Sequence, residues 1–96
     1  MLEPEFTPAF TRDVKRMKRR HAKVVLLREV MDLVLDDTID SRSELRRRHR
    51  AHRLKGEWHG AHECHIANAG DWLLVWKTGN GIAVFLRTGT HKDIFG

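Results

Sequence analysis

Asp71-Trp72-Leu73-Leu74-Val75-Trp76-Lys77, followed by Thr78-Gly79-Asn80-Gly81 and then Ile82-Ala83-Val84-Phe85-Leu86-Arg87-Thr88, is the stretch that decides the fold. The opening segment is almost continuously apolar, as expected of a central strand covered on both faces. The Thr-Gly-Asn-Gly segment reads as a turn, and Ile82 to Thr88 as the returning strand of a hairpin. Just upstream, Trp58, His62, Cys64 and Ile66 alternate with Glu57, Glu63 and His65. That alternation reads as another strand with one buried and one polar face, and it places His59 and His65 together on the polar side.

Further toward the N-terminus the period changes. Phe10, Val14 and Met17 recur at helical spacing, and Leu26, Leu27, Val30, Met31 and Val34 mark a second apolar stripe. Thr7 before Pro8 has the form of an N-cap followed by proline in the first helical position. No glycine or proline interrupts Pro8 to Asp37. A single rod of that length has little to pack against in so short a chain, which favours two helices parting near His21. Asp36-Asp37 opposes the helix dipole and suits a C-terminal end there. Leu2 to Phe6 reads as an edge strand, and Ser41 to Lys55 mainly as a basic connection. The expected architecture is one α+β domain over residues 1–96, β-α-α-β-β-β, with two helices on one face of a small, mainly antiparallel sheet. Polar chemistry is then expected on the face the helices leave free.

The 96 residues, 41% hydrophobic and 32% charged, exclude a wholly disordered chain. No apolar run approaches the ~18 residues of a membrane span, so no membrane partner is expected. The single cysteine, Cys64, has no internal disulfide partner, which points to the reducing cytoplasm. The net charge is +5, yet Arg42 to Lys55 alone holds seven positive residues against one acid, Glu44. The rest of the chain is therefore close to neutral, and the basic excess belongs to one segment. Arginines 50 and 53 with Lys55 carry it next to His49 and His52, a composition suited to phosphate because a guanidinium bonds paired oxygens and sheds water cheaply. Nucleic acid is the first partner this implies and an acidic protein the second.

Four separated pieces then belong together: His52-Arg-Leu-Lys-Gly56-Glu-Trp58, Glu63-Cys64-His65-Ile66, Asp71-Trp72-Leu73-Leu74, and Arg87-Thr88-Gly89-Thr90-His91 with Ile94-Phe95-Gly96. In order and spacing they resemble the YafQ branch of the RelE/ParE toxin superfamily. The resemblance covers the C-terminal half in motif detail and the N-terminal half in element order. It implies a RelE-like fold and the toxin of a type II toxin–antitoxin pair, a metal-independent endoribonuclease with no cofactor that cuts messenger RNA on the ribosome. It further implies an inhibitory complex with a cognate antitoxin, a heterotetramer or larger, which reaches operator DNA through the antitoxin. Carried over by position, His52, His65, Asp71 and His91 match the catalytic set. Arg87 matches a phosphate-binding arginine, Phe95 a residue beside the scissile nucleotides, and Trp72 the neighbour of the aspartate. The chain departs from the family pattern at Ala61 and His62, where a tyrosine and an arginine are usual, at Ala51, and in a longer link from His65 to Asp71.

Metal-free RNA cleavage needs a base for the 2′-hydroxyl, an acid for the leaving 5′-oxygen and positive charge around the phosphorane. Histidine serves either end because its ordinary pKa of ~6.5 populates both forms near neutrality. The expected assignment is His52 as base and His91 as acid, with the exchange of roles open. Asp71 then orients a histidine, while His65 and Arg87 neutralise the phosphate. Two other accounts compete. His59, His62, Cys64 and His65 invite zinc, but one strand points them to opposite faces. A ParE-like protein shares the architecture, lacks the histidines and acts on DNA gyrase, and a weakened toxin fold acts only through antitoxin and operator binding.

Overall fold

The computed structural model describes residues 1–67 and 70–96. Strand β1 is Glu3–Phe6, helix α1 Pro8–Arg19, α2 Val24–Asp36 and α3 Ile39–His49. Then come strand β2 His52–Arg53, a 3-10 turn Gly56–Trp58, strands β3 His62–His65, β4 Leu73–Gly79 and β5 Ile82–Gly89, and helix α4 His91–Phe95. The sheet order is β1-β5-β4-β3-β2; β1 runs parallel to β5, and every other pairing is antiparallel. The expected order of elements is present, with helices α3 and α4 and strand β2 added to it.

Local chemistry accounts for most boundaries. The Thr7 hydroxyl accepts from the Phe10 amide at 3.0 Å, with Pro8 opening α1. The helical pair does part at His21, which takes a left-handed φ of 62°. Asp37 ends α2 in the same conformation, a region aspartate tolerates better than most residues. Where a basic connection was expected, α3 forms. Thr38 and Ser41 cap it reciprocally, each side chain bonded to the other's amide at 2.9 Å. Its last turn, Arg46-Arg47-Arg48-His49, complements the negative end of the helix dipole. Asn80 and Gly81 turn the β4–β5 hairpin with φ of 53° and 78°, the pair of positive angles that a two-residue hairpin turn needs.

The main core lies between α1–α3 and one face of the sheet. Phe10, Met17, Leu27, Val30, Val34 and Leu45 pack there on Cys64, Leu74, Trp76 and Phe85. The opposite face is not wholly free: Leu73, Val75 and Ala61 form a second, smaller core under Ile94 of α4, flanked by Leu54 and Trp58. The strand expected from Trp58 onward is shorter than its alternation suggested. Only His62–His65 pairs, and Trp58 and His59 lie in and just after the 3-10 turn.

One buried carboxylate joins the layers. Asp13, on the inner side of α1, is 1% exposed. It accepts from Arg87 Nε at 2.7 Å, Arg87 Nη2 at 3.1 Å, the Thr88 amide at 3.1 Å and Arg16 Nη1 at 2.9 Å. A buried charge so satisfied is tolerable, and one whose partner is deleted is not. Asp13→Ala leaves the Arg87 guanidinium half-buried and unpaired, and is expected to cost ~3–5 kcal/mol in denaturant unfolding. A loss under 1 kcal/mol contradicts this account of how α1 is fastened to the sheet.

Candidate active site

The pleat sorts the sequence-derived residues between two surfaces. His52 on β2 pairs with Glu63 on β3, and Glu63 and His65, two residues apart, point to the same side. That side is the one α4 covers. His52, Glu63 and His65 therefore line a shallow face that α4 closes with His91 and Phe95. Arg53, the next residue along β2, pairs with His62 and belongs to the other side.

Helix α4 is seated by its own cap and by three distant groups. The Thr90 hydroxyl and the Asp93 carboxylate accept reciprocally from each other's amides, both at 3.0 Å. Arg20, beyond the end of α1, holds the Asp93 carboxylate at 2.7 and 3.2 Å, and Arg87 Nη2 reaches the Asp93 carbonyl at 3.1 Å. Gly89 passes so close that a Cβ there would lie 2.9 Å from Asp93 Oδ2. At the start of the helix, Asp71 receives the His91 amide at 3.0 and 3.1 Å and the His91 Nδ1 at 2.5 Å. Desolvation pushes the Asp71 carboxyl up, but the amide and ring hydrogen bonds from His91, with the charges of His91 and His65, outweigh it and leave it below its ordinary value. The guanidinium of Arg20 holds Asp93 far below the usual carboxylate range, against desolvation, with Thr90 assisting.

These contacts fix which ring nitrogens are available. Asp71 engages Nδ1 of His91, so Nε2 is the free end, and that ring lies 6.3 Å from His65 and 6.1 Å from Phe95, centroid to centroid. Phe95 is 40% exposed and meets Trp58 edge-on at 5.5 Å. In His52, Nδ1 lies 3.0 Å from the Arg50 carbonyl. A carbonyl only accepts, so Nδ1 carries the proton and Nε2 is the nitrogen that exchanges one. Nε2 faces Glu63 Oε1 at 3.5 Å.

Of the expected set, His65, Asp71, His91 and Phe95 gather at one end of the face, and His52 joins them across β3. Trp72 is corrected. At 8% exposure, with its indole N–H given to Thr88 Oγ1 at 3.0 Å, it is a core residue and offers no face to a nucleotide. Arg87 is largely committed to Asp13 and the Asp93 carbonyl, which leaves only Nη1 without a bond among the described residues. Arg50, Arg53 and Lys55 are exposed, with Arg53 on the far side. The zinc set does not converge: Cys64 is buried in the main core, His62 stacks on Trp76 at 5.5 Å, and His65 faces the other way. Among the described residues no cluster of three metal-ligating side chains occurs.

Two participants went unassigned in the sequence. Glu63, 5% exposed, was expected on a polar face but is buried opposite His52; its place two residues before His65 was the available signal. His49 donates from Nδ1 to the His65 carbonyl at 2.9 Å, tying the end of α3 to the end of β3.

Residues 2–96 match the model of the bacterial toxin of type II toxin–antitoxin systems, YafQ. The chain belongs to the YafQ toxin family. The mRNA interferase toxin YafQ of Escherichia coli K12 is 32% identical over 92 residues, covering 96% of this chain and 94% of that protein. The structure of the E. coli DinJ–YafQ complex matches with a TM-score of 0.84 and 30% identity, each chain covered in full. A metal-bound toxin from Helicobacter pylori matches with a TM-score of 0.84 and 26% identity, covering 99% of this chain and 100% of that one. The RelE-like α+β arrangement expected for a YafQ-type chain is thus the arrangement found.

The lowered carboxyls of Asp71 and Asp93 give the α4 seat a pH dependence. A carboxyl depressed in the folded state contributes stability above its unfolded value, ~4, and loses it as pH falls through the folded value. The unfolding free energy in denaturant is expected to fall as pH drops from about 4 toward about 2, and to fall less in Arg20→Ala, which leaves Asp93 without its cation; an equal fall in both proteins contradicts the seat described.

Proposed function

We propose that this YafQ-family chain is an endoribonuclease toxin that cuts messenger RNA, on the ribosome, through attack of the substrate's own 2′-hydroxyl. The observation that carries the reading is the Asp71–His91 pair, held beside His65 and Phe95 on a face that also presents His52. In its imidazolium form His91 donates its Nδ1 proton to the Asp71 carboxylate and presents its second proton outward on Nε2, the orientation a general acid needs to protonate the leaving 5′-oxygen. His52, its Nδ1 proton held by the Arg50 carbonyl, accepts the 2′-hydroxyl proton on Nε2. Glu63 stabilises the imidazolium that results. His65 and Arg87 Nη1 meet the charge that builds on the phosphorane, and Phe95 stacks on a base beside the scissile bond, a contact worth ~1–3 kcal/mol. The products are a 2′,3′-cyclic phosphate and a 5′-hydroxyl.

The same reading gives the chain a cognate antitoxin as inhibitor, in a heterotetramer or larger, and operator DNA reached through it. The cytoplasm, where ribosomes and antitoxin meet the chain, is the working compartment. Arg50 and Lys55 contact ribosomal or messenger RNA phosphates. The gyrase alternative has nothing to do with the Asp71–His91 pair, so inhibited gyrase alongside intact message selects it.

Removing one proton-transfer group typically costs 10²–10⁴-fold. His91→Ala and His52→Ala are each expected to lower cleavage of ribosome-bound message by that factor, mapped at the 3′ ends; either variant cutting at the parent rate overturns its role. Every proton has a side chain to carry it in this scheme, so sulfur in place of a non-bridging oxygen at the scissile phosphate is expected to slow cleavage with no rescue by Mn²⁺ or Cd²⁺. Rescue by a thiophilic metal overturns the metal-free reading.

A further inference from the structure

The side of the sheet opposite the histidine face holds a cavity of about 330 Å³ at the β2 edge, between the sheet, the end of α2 and the middle of α3. Its floor is apolar, with Leu45 and Trp76 among its walls, and its rim carries Arg42, Arg46 and Arg53 with one acid, Asp37. Arg42 is occupied, its Nη1 on the Asp37 carboxylate at 2.8 Å and carbonyl at 2.9 Å. Arg46 and Arg53 are exposed and have no carboxylate within 4.0 Å among the described residues. Cross-strand register explains the platform inside. Arg53 pairs with His62 and His62 with Trp76, so all three share this face in one row across the strands. The His62 ring lies on the buried indole nearly parallel, 20° between planes. Burial, and secondarily the Arg53 charge, lower the His62 pKa, so the ring is neutral at pH 7 and offers a flat aromatic surface between two cations.

We propose that this cavity is a second nucleotide subsite for the same RNA strand: a base lies against His62, and the flanking phosphates pair with Arg46 and Arg53. The proposal rests on the reading of RNA as substrate. Its carrying observation is the place of His52 and Arg53 on a two-residue edge strand: the register sets His52 against Glu63 of the cleavage face and Arg53 against His62, and both residues line the mouth of this cavity. A single strand crossing that edge touches both. Guanidinium groups bond phosphate oxygens in pairs, and base stacking on an aromatic ring is tolerant of sequence. An acidic peptide would use the cations but leave the stacked ring without a partner, which favours the nucleotide.

The test uses the intact chain and an RNA octamer methylated at every 2′-oxygen, which has no nucleophile and cannot be cut. The His62 ring and Trp76 indole resonances are expected to shift together with those of His65 and His91. The double variant Arg46→Ala/Arg53→Ala, altering two exposed side chains, is expected to flatten the slope of log Kd against log salt by about 1.4, at ~0.7 per phosphate for single strands. Shifts confined to His65 and His91 overturn the subsite and leave the nuclease reading intact. Silence at His62 and Trp76 with a normal His91→Ala cleavage defect does the same. If a Glu/Leu peptide moves the cavity resonances and the octamer does not, the cavity is a protein-docking surface and the proposal is wrong.

Discussion

Everything at the histidine face depends on how a five-residue helix is held. A single turn and a half of helix has no stability of its own, because nucleation costs more than so few bonds return. Helix α4 exists because the residue capping α1, strand β5 and the loop before β4 each contribute a group to it. Arg20 and Arg87 grip opposite ends of Asp93, Asp71 takes the first amide and the first side chain, and Ile94 is buried beneath. His91 and Phe95 inherit their positions from this arrangement. Asp13 extends the chain of dependence one step inward, since the Arg87 that reaches Asp93 is itself fixed by a buried carboxylate on α1.

The hairpin, the two long helices and the edge strand were legible because burial wrote a period into them. Helix α3 was not, and the reason is specific: only Ser41 and Leu45 of its residues are buried, so it carries no apolar stripe. Its stability comes from a Thr38–Ser41 cap and a basic last turn, neither of which has a hydrophobic signature. Asp13 and Glu63 were invisible for a related cause. Each is a charged residue whose partner lies on another element, and alternation reads charge as exposure. At the site, Asp71 and His91 stand twenty residues apart with no local pattern linking them, and only the family resemblance put them together. The same resemblance gave Trp72 and Arg87 roles that their hydrogen bonds now largely consume, since a motif does not reveal which donors are already spent.

The edge strand β2 is where the two surfaces of the molecule are coupled. The Arg50 carbonyl just before it fixes the protonated nitrogen of His52, its register sets His52 against Glu63, and its second residue, Arg53, turns to the far side. Helix α3 leads directly into it through a left-handed Arg50, φ 56°, with the Ala51 amide bonded back to Leu45 at 3.0 Å. His49, one residue before, pins the His65 carbonyl. The junction of α3 and β2 therefore positions a histidine on each of two strands, a reason for that segment to be helical and capped at both ends where a loose basic tether would leave both rings adrift.

The departures from the family pattern at Ala61 and His62 have physical consequences that partly offset one another. Ala61 is fully buried in the smaller core between Leu54 and Leu73, where the small side chain lets the Trp58 turn close down toward Phe95. His62 replaces an expected positive charge by a ring that desolvation keeps neutral. The missing charge is not lost from the surface, because Arg53 stands directly across from His62 in the neighbouring strand. A fixed cation at 62 would sit against Arg53 and repel it, as like charges opposed across strands do. The neutral ring removes that repulsion and adds an aromatic face backed by Trp76. The neutral ring at 62 thus puts a stacked aromatic platform, backed by Trp76, beside the exposed Arg53 of β2 and across the cavity from Arg46 of α3.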